Sequence, residues 1–244
     1  MSTLRKIRSA FGFLLRGQFA ALFNALTRFL RLYPALMIGD TYLFTVEPFN
    51  FRSDKTADEP DEDVHCETDP AVIGKLLACM KGTTDYPWIK PEDRHKKFED
   101  FFRRGSRVWI IEIGTEVAGF IWETRHTYSY TYGNRTLIFD DLPNDAAFFE
   151  FLFIGEAWRR RGFHHKLLAA IHRASPDIRF FCAITEDNEP SIRSHLKYGF
   201  RRNGRILHFH CFGLVFVSLR FGKMSRFLLR TKKNVPRRIS CREC

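Results

Sequence analysis

The sequence predicts an α+β domain in which helices flank one mixed, mostly antiparallel sheet. In the ranges 70–80 and 91–104, apolar residues recur at gaps of three and four, which is typical of helices. From residue 107 the pattern changes to short alternating or continuous apolar runs, and a strand–helix–strand–helix order follows from 146 to 197. This order of elements, with helices first, then a meander, then the strand–helix–strand–helix unit, favours a fold in which helices pack on one sheet.

The strands are predicted one after another from their apolar runs and turn signals. A first strand is expected at 42–47, after which the polar, acidic range 52–63 is expected to be a loop. Gly114 and Thr115 should form the turn of a hairpin between 107–113 and 116–124. The run 146–154 is strongly apolar and is predicted to be central. The other predicted elements are strands at 178–185, 200–210 and 212–220, and helices at 162–174 and 190–197.

The charge of the chain is concentrated at its two ends. The net charge is +11, yet residues 40–219 hold 24 Lys and Arg against 27 Asp and Glu. Residues 1–39 carry six bases and no acid, and residues 220–244 carry nine bases and one acid. Basic ends suit an anionic surface such as phospholipid head groups. A nucleic-acid binder is not favoured, because its basic residues should line one face of the folded part.

Three segments are predicted: a basic amphipathic extension over 1–33, a domain over 34–220, and a basic tail over 221–244. The apolar residues from Leu4 to Leu30 form one helical stripe opposite several arginines. This helix is expected to pack on the domain or on a second copy in a homodimer, to lie in the plane of a membrane surface, or to be a cleaved targeting peptide. Its uncharged stretch, 17–27, is shorter than the roughly 20 residues that span a bilayer.

The six cysteines form no regular framework, which favours reduced thiols in the cytoplasm. Cys241 and Cys244 make a lone CxxC with no second pair at zinc-site spacing, so no metal site is predicted. The expected location is cytoplasmic, with peripheral attachment to the inner face of the membrane as the alternative that the basic ends suggest.

Residues 154–168 combine the end of an apolar strand, an arginine-rich turn and the start of a helix. Helix N-termini bind phosphates through exposed N–H groups and a partial positive charge. Gly162 would let the backbone approach a ligand closely. Arg159, Arg160 and Arg161 add formal charge. By itself such a turn also fits a solvated basic surface.

These residues resemble a motif of the GCN5-related N-acetyltransferase (GNAT) superfamily. Members carry Val-x-Pro-x-Tyr, then Arg/Gln-x-x-Gly-x-Gly/Ala, then an apolar helix. In this chain Ile154 stands at the Val, Glu156 at the Pro, Trp158 at the Tyr, Arg159 at the Arg/Gln and Gly162 at the first Gly.

A second motif strengthens the resemblance. Members carry Asn-x-x-Ala-x-x-Leu-Tyr-x-Lys-x-Gly-Phe after a strand, and Asn188, Lys197, Gly199 and Phe200 match it in register. Two motifs in this order, each at a strand–helix junction, are more specific than either alone. The resemblance covers about residues 105–212, extends back to about residue 40, and leaves out both basic ends.

The resemblance implies a splayed sheet that holds acyl-CoA between the strands ending at Ile154 and Thr185. The pantetheine arm would pair with strand backbone, and the pyrophosphate would lie on the amides of the arginine loop. Acetyl-CoA is the implied co-substrate, with no metal. The residues implied to bind it are Leu152, Phe153, Ile154, Arg159, Arg160, Arg161, Gly162, Phe163, His164 and Asn188.

Two histidines depart from the family pattern. His164 replaces the last Gly/Ala of the loop, and its side chain is expected to point away from the phosphates. His195 replaces the Tyr that protonates the leaving thiolate. An imidazole could donate that proton as the general acid, or His195 could only pack on its helix.

An amine acceptor must lose a proton before it attacks, so a general base is expected. Glu150 is the first candidate, because a lone carboxylate in an apolar strand is costly to bury unpaired. A structural salt bridge or an exposed edge would also explain it. Glu123, Asp140 and Asp141 are the other candidates.

The resemblance therefore implies an acyl-CoA-dependent N-acyltransferase that acts on a primary amine by direct attack in a ternary complex. Acetyl is the expected acyl group. The alternatives are a long-chain acyl-CoA or acyl-carrier-protein N-acyltransferase at a membrane surface, and an inactive acyl-CoA-binding module. The aromatic insertion 125–145 is expected to shape the acceptor site, for a small molecule or a lipid-linked amine.

Overall fold

The computed structural model describes residues 23–24, 26–27, 36–46, 62–83, 91–125, 128–132, 135–140, 143–211, 214–221, 224–231 and 237–240. Its strands are β1 Leu36–Val46, β2 Glu62–Glu67, β3 Arg107–Ile113, β4 Glu116–Thr124, β5 Tyr128–Tyr132, β6 Arg135–Asp140, β7 Ala146–Ile154, β8 Arg179–Thr185, β9 Arg201–Cys211, β10 Leu214–Phe221, β11 Met224–Thr231 and β12 Arg237–Ser240. Its helices are α1 Ile73–Cys79, α2 Arg94–Arg103, α3 Phe163–Ala174 and α4 Glu189–Lys197. Short 3-10 turns lie at Pro70–Val72, Pro91–Asp93 and Glu156–Trp158.

A nine-stranded sheet in the order β11-β10-β9-β1-β8-β7-β4-β3-β2 forms the body of the protein. Among the strands that the structure describes in this sheet, only the β7–β8 pair is parallel. A second sheet has the order β12-β6-β5. The predicted α+β class, with a mostly antiparallel open sheet and flanking helices, is confirmed.

Two regions of the chain form strands that the sequence did not predict. Strand β2 includes the last two residues of the expected loop 52–63 and pairs with β3 at one edge of the sheet. Charged side chains suit an edge strand because they oppose pairing with another chain, so an acidic composition does not exclude a strand there. Strands β11 and β12 lie within 221–244, the segment expected to be a basic tail.

Little of the predicted N-terminal helix falls within the described residues. Phe23, Asn24, Leu26 and Thr27 are helical, and the Phe23 ring lies edge-on to Phe209 of β9 with centroids 6.2 Å apart. This contact agrees with the packing alternative for that turn of the extension. In the part of the chain that the structure describes, every helix is too short or too polar to cross a bilayer.

The two faces of the sheet are covered by different helices. On one face, Phe163, Leu167 and Ile171 of α3 pack with residues of β1, β7 and β8 in one buried cluster. On the other face, Leu76 of α1 and Phe98 and Phe101 of α2 pack with residues of β3, β4 and β7 in a second cluster. Strand β7 contributes to both clusters and is therefore central, as predicted.

A β-bulge at Glu150 changes the direction of β7. Trp122 of β4 pairs with Phe151 and Glu123 pairs with Phe149, so Glu150 is the additional residue. Before the bulge, Phe149 packs in the cluster of α3; after it, Phe151 packs in the cluster of α1 and α2. One extra residue reverses the alternation of faces and bends the strand.

Strands β7 and β8 separate at this bulge. Their parallel ladder runs only from Ala146–Arg179 to Phe149–Cys182. Beyond that point β7 remains paired with β4 as far as Ile154, and β8 remains paired with β1 as far as Thr185. The result is the splayed sheet that the resemblance implied, with a notch between Glu150–Ile154 and the end of β8.

A buried carboxylate lies on β4 beside the bulge, where Glu123 pairs with Phe149. Glu123 is fully buried and accepts hydrogen bonds from Arg107 (3.0 and 2.9 Å), from the Trp109 indole N–H (2.7 Å) and from Arg125 (2.8 Å). Both arginines also donate to the Ser175 hydroxyl at the end of α3. The network joins β3, β4 and α3, and Arg125 anchors the start of the insertion.

Glu123→Gln should destabilise the fold strongly, because it removes the charge that compensates two partly buried guanidinium groups. Breaking such a pair from one side costs about 3–5 kcal/mol of the free energy of unfolding. Urea denaturation measures the effect, with the exposed Glu116→Gln on the same strand as the control, expected within about 0.5 kcal/mol of the parent. Equal unfolding midpoints for the two variants would contradict this role of Glu123.

Candidate active site

The arginine loop leads from the end of β7 into α3. The Gly155 N–H donates to the Ala118 carbonyl at 2.9 Å, which ties the start of the loop to β4. Helix α3 begins at Phe163 after Gly162, which has φ +84°. The first bond of the helix joins the Lys166 N–H to the Gly162 carbonyl at 3.1 Å. The amides of Phe163 and His164 therefore belong to the helix N-terminus, where N–H groups have no intrahelical acceptor.

Arg160 adopts a strained backbone within this loop, with φ +63°. Left-handed backbone is uncommon for residues other than glycine and costs about 1 kcal/mol or more. Such residues are concentrated at ligand-binding sites, where the surrounding structure holds the conformation.

Two of the three arginines fold back against the loop. The Arg159 Nε donates to the Ile154 carbonyl at 3.1 Å. The Arg161 guanidinium lies 5.1 Å from the centre of the Trp158 ring, and Trp158 contacts Phe163 edge-on. All three arginines are exposed. The loop thus presents a cluster of positive charge beside the N-terminus of α3.

The residues predicted to bind the pantetheine arm lie along the notch. Leu152 and Ile154 are partly buried against the cluster of α3, and Phe153 is buried on the opposite face. The edge of β7 that faces β8 has no β8 ladder after Phe149. Backbone groups of this edge are therefore placed to meet an extended ligand.

Asn188, on the other side of the notch, caps α4. Its side-chain oxygen accepts the Ser191 N–H at 3.3 Å. This N-capping hydrogen bond stabilises the start of α4 just after β8. The Asn188 amide –NH₂ is the part of the side chain that could still donate to a ligand.

His164 is directed at α4. Its Nδ1 lies 2.8 Å from the Ser194 hydroxyl, and its ring lies 4.8 Å from that of His195 and edge-on to Tyr198. Burial, followed by the neighbouring His195 and His165, lowers the pKa of His164 well below 6.5. The ring is therefore neutral, and it joins the first turn of α3 to α4.

His195 is buried, with 4% of its surface exposed. Its Nδ1 donates to the Ser191 carbonyl at 2.8 Å, because a carbonyl can only accept. Burial lowers the pKa of His195 to about 4, so Nε2 carries no proton at neutral pH. These contacts argue against the expected general-acid role, since the one N–H of the neutral ring is already donated to the backbone.

Glu150 lies in the bulge with only 2% of its side chain exposed. Both of its oxygens accept from Arg104, each at 2.8 Å. Arg104 follows α2, so the carboxylate faces α2 rather than α3. Sequence reasoning missed Arg104; the basic end of the predicted helix 91–104 was the available signal, but only the fold brings it to Glu150.

The other candidate bases are less suitable or lie outside what the structure describes. Glu123 is held by Arg107, Trp109 and Arg125, in a network that reaches Ser175 at the end of α3. The side chain of Asp140 and all of Asp141 lie outside the described residues.

One group of side chains has the composition of a metal site. The ligand atoms of Asp63, His65 and Glu112 lie within 4.8 Å of one another. Lys75 Nζ, however, lies 3.0 Å from the Glu112 carboxylate, and His65 lies between Asp63 and Glu67. Within this group, the Lys75–Glu112 ion pair joins α1 to β3.

Comparisons with solved structures agree with the fold. A conserved protein of unknown function from Staphylococcus epidermidis matches with a TM-score of 0.54 and 11% identity, covering 76% of this chain and 65% of that one. A GNAT-family acetyltransferase from Colwellia psychrerythraea matches with a TM-score of 0.46 and 10% identity, covering 76% and 61%. This chain thus spans less than two thirds of the length of either protein.

A third solved structure is an aminoglycoside N-acetyltransferase, AAC(6')-Iy, in complex with CoA. It matches with a TM-score of 0.43 and 18% identity, covering 58% of this chain and 88% of that one. No curated protein gives a match to the sequence.

The sequence profile of the acetyltransferase (GNAT) family matches residues 46–200, which include the bulged strand, the arginine loop and both motif-bearing helices. The chain therefore belongs to the GNAT acetyltransferase family.

Proposed function

We propose that this protein transfers an acyl group, acetyl in the simplest case, from acyl-CoA to a primary amine by direct attack. The proposal rests mainly on one observation, that the notch between β7 and β8 opens beside the arginine loop and the N-terminus of α3. A strand edge, a helix N-terminus and a cluster of arginines are the groups that an extended pantetheine and its pyrophosphate require.

The donor side of the site is formed by the arginine loop and the notch. Amides of Gly162, Phe163 and His164 would meet the pyrophosphate, with Arg159, Arg160 and Arg161 supplying charge around them. The backbone of Leu152, Phe153 and Ile154 would pair with the pantetheine arm. Asn188 lies on the opposite wall.

The acceptor side is assigned to the face of α2, where Glu150 lies. We propose Glu150 as the general base, because it stands at the residue from which β7 and β8 separate. Arg104 stabilises the ionised carboxylate, which would accept the amine proton directly or through an intervening water. The leaving thiolate would take its proton from water, since His195 is neutral and donates its N–H elsewhere.

The proposal is tested by release of free thiol from acetyl-CoA, and from longer acyl-CoAs, with a panel of primary amines. Arg159→Glu combined with Arg161→Glu should raise the KM for acetyl-CoA about 10-fold or more, since charge-assisted bonds to phosphate contribute about 1.5–3 kcal/mol each. The KM for the amine should stay unchanged.

Lys81→Glu, an exposed charge reversal after α1, is the control and should leave both constants unchanged. Equal effects of the loop variant on both KM values would contradict the assignment of the donor site. Binding of acyl-CoA without transfer to any amine would favour an inactive binding module, and a preference for long chains would favour the membrane-surface alternative.

Glu150→Gln should lower kcat about 100-fold or more and remove the fall in kcat on the acid side of the pH profile, because the amide cannot accept the amine proton. The exposed Glu99→Gln of α2 is the control and should behave like the parent. A purely structural Glu150 would instead give a lower melting temperature with an unchanged pH profile of kcat.

His195→Phe should retain kcat, and it should make the fold less sensitive to acid. The folded-state pKa of His195 is about 4 against an ordinary 6.5, so the unfolded chain binds more protons between these values and stability falls as pH is lowered. Between pH 7 and pH 4, the free energy of unfolding of His195→Phe should therefore fall by about 3 kcal/mol less than that of the parent.

Urea denaturation at pH 4 and pH 7 measures this change, with the exposed His95→Gln of α2 as the control. A large fall in kcat at neutral pH would instead restore the general-acid role of His195.

A further inference from the structure

Lys97 of α2 is an under-compensated cation beside Glu150. Its Nζ lies 4.9 Å from the centre of the Phe101 ring, and the Arg104 guanidinium lies 5.0 Å from the same centre. Lys97 and Arg104 thus share the face of α2 that meets the bulge. Both oxygens of Glu150 are engaged by Arg104.

The surroundings do not compensate the charge of Lys97. In the part of the chain that the structure describes, no carboxylate makes an ion pair with its ammonium group. Desolvation is the largest influence on Lys97 and lowers its pKa; Glu150 and Asp100 raise the pKa only in part, and Arg104 lowers it further. A partly buried ammonium held only by an aromatic face lacks the ionic partner that usually accompanies such burial.

This cation lies on the acceptor side of the proposed site. Arg104 bridges from the end of α2 to Glu150 in the bulge, so the side chains around Phe101 adjoin the place assigned to the acceptor amine. The arginine loop and α3 belong to the opposite face of the sheet. Lys97 is therefore available to a group on the acceptor and not to the pyrophosphate of the donor.

The C-terminal segment adds basic positions to the second sheet. Strand β12 pairs in parallel with β6, with Arg237 opposite Leu137 and Arg238 opposite Ile138. Strand β6 pairs with β5, and β5 lies against β7. The end of the chain is thus built into the insertion that was expected to shape the acceptor site.

We propose that the acceptor carries an anionic group, a carboxylate or a phosphate, near its amine, and that Lys97 binds that group. The inference rests on the proposed function for the place of the acceptor. An anionic group would give Lys97 the ionic partner it lacks and would hold the amine close to Glu150. A polycationic amine would be disfavoured, because Lys97 and Arg104 would repel it.

The test compares matched amines that differ only in an anionic group: glucosamine and glucosamine 6-phosphate, ethanolamine and phosphoethanolamine, serine amide and serine. Binding to the CoA-loaded protein is measured by calorimetry, so the readout does not depend on turnover. At least one anionic member should bind about 10–100-fold more tightly than its neutral partner, the range expected for a bond to a charged group.

Lys97→Met keeps the apolar stem on Phe101 and removes the charge. It should abolish the preference for the anionic member while leaving the affinity for CoA unchanged. Lys96→Met, an exposed neighbour on the same helix, is the control and should keep the preference.

Two results would overturn the inference: a panel in which no anionic member binds more tightly than its neutral partner, or a Lys97→Met variant that retains the preference. Thiol release from acetyl-CoA in the same mixtures reports on the proposed function separately. A Lys97-dependent preference in binding without thiol release would keep the anion site and reject the acyl transfer.

Discussion

The β-bulge at Glu150 is the constraint on which the proposed site depends. A regular strand would keep β7 paired with β8 along its length and would keep its alternation of faces unchanged. The additional residue does three things at once. It ends the parallel ladder after Phe149, moves Phe151 and Phe153 to the face of α2, and sets Glu150 at the point of separation. The bulge therefore produces both the notch for an extended ligand and the carboxylate at the point where the notch begins.

Two ion-pair networks beside the bulge of β7 hold this distorted sheet in place. On β4, opposite Phe149, Glu123 draws together Arg107, Trp109 and Arg125 from β3 and the start of the insertion. At the bulge, Arg104 holds Glu150 and connects α2 to the strand. A carboxylate with little solvent access needs such donors, because unpaired burial of its charge is costly. The two networks orient helices against opposite faces, so donor and acceptor sides are kept apart.

The histidines at the donor side illustrate how a substitution within a family pattern can change its chemistry. His164 occupies a loop position where the family has a small residue, and its ring joins Ser194 of α4. His195 occupies the position of a tyrosine, yet its N–H is donated to the backbone one turn earlier. Both imidazoles are neutral, His195 is buried and His164 is partly buried, and they connect α3 to α4 by packing and hydrogen bonds.

The sequence by itself determined the fold class, the bounds of the main elements and the two motifs, because these depend on local periodicity and on residues close together in the chain. The hairpin over 107–124, strand 146–154 and the helix after Gly162 all follow from such patterns. The partners of Glu150 and Glu123, the burial of His195 and the place of Lys97 were decided only by the tertiary structure. Arg104 lies 46 positions before Glu150 along the chain, and nothing in the local pattern of either residue indicates that they meet. The bulge was also decided only by the tertiary structure, because a residue of β7 is additional only with respect to its pairing with the neighbouring strand β4.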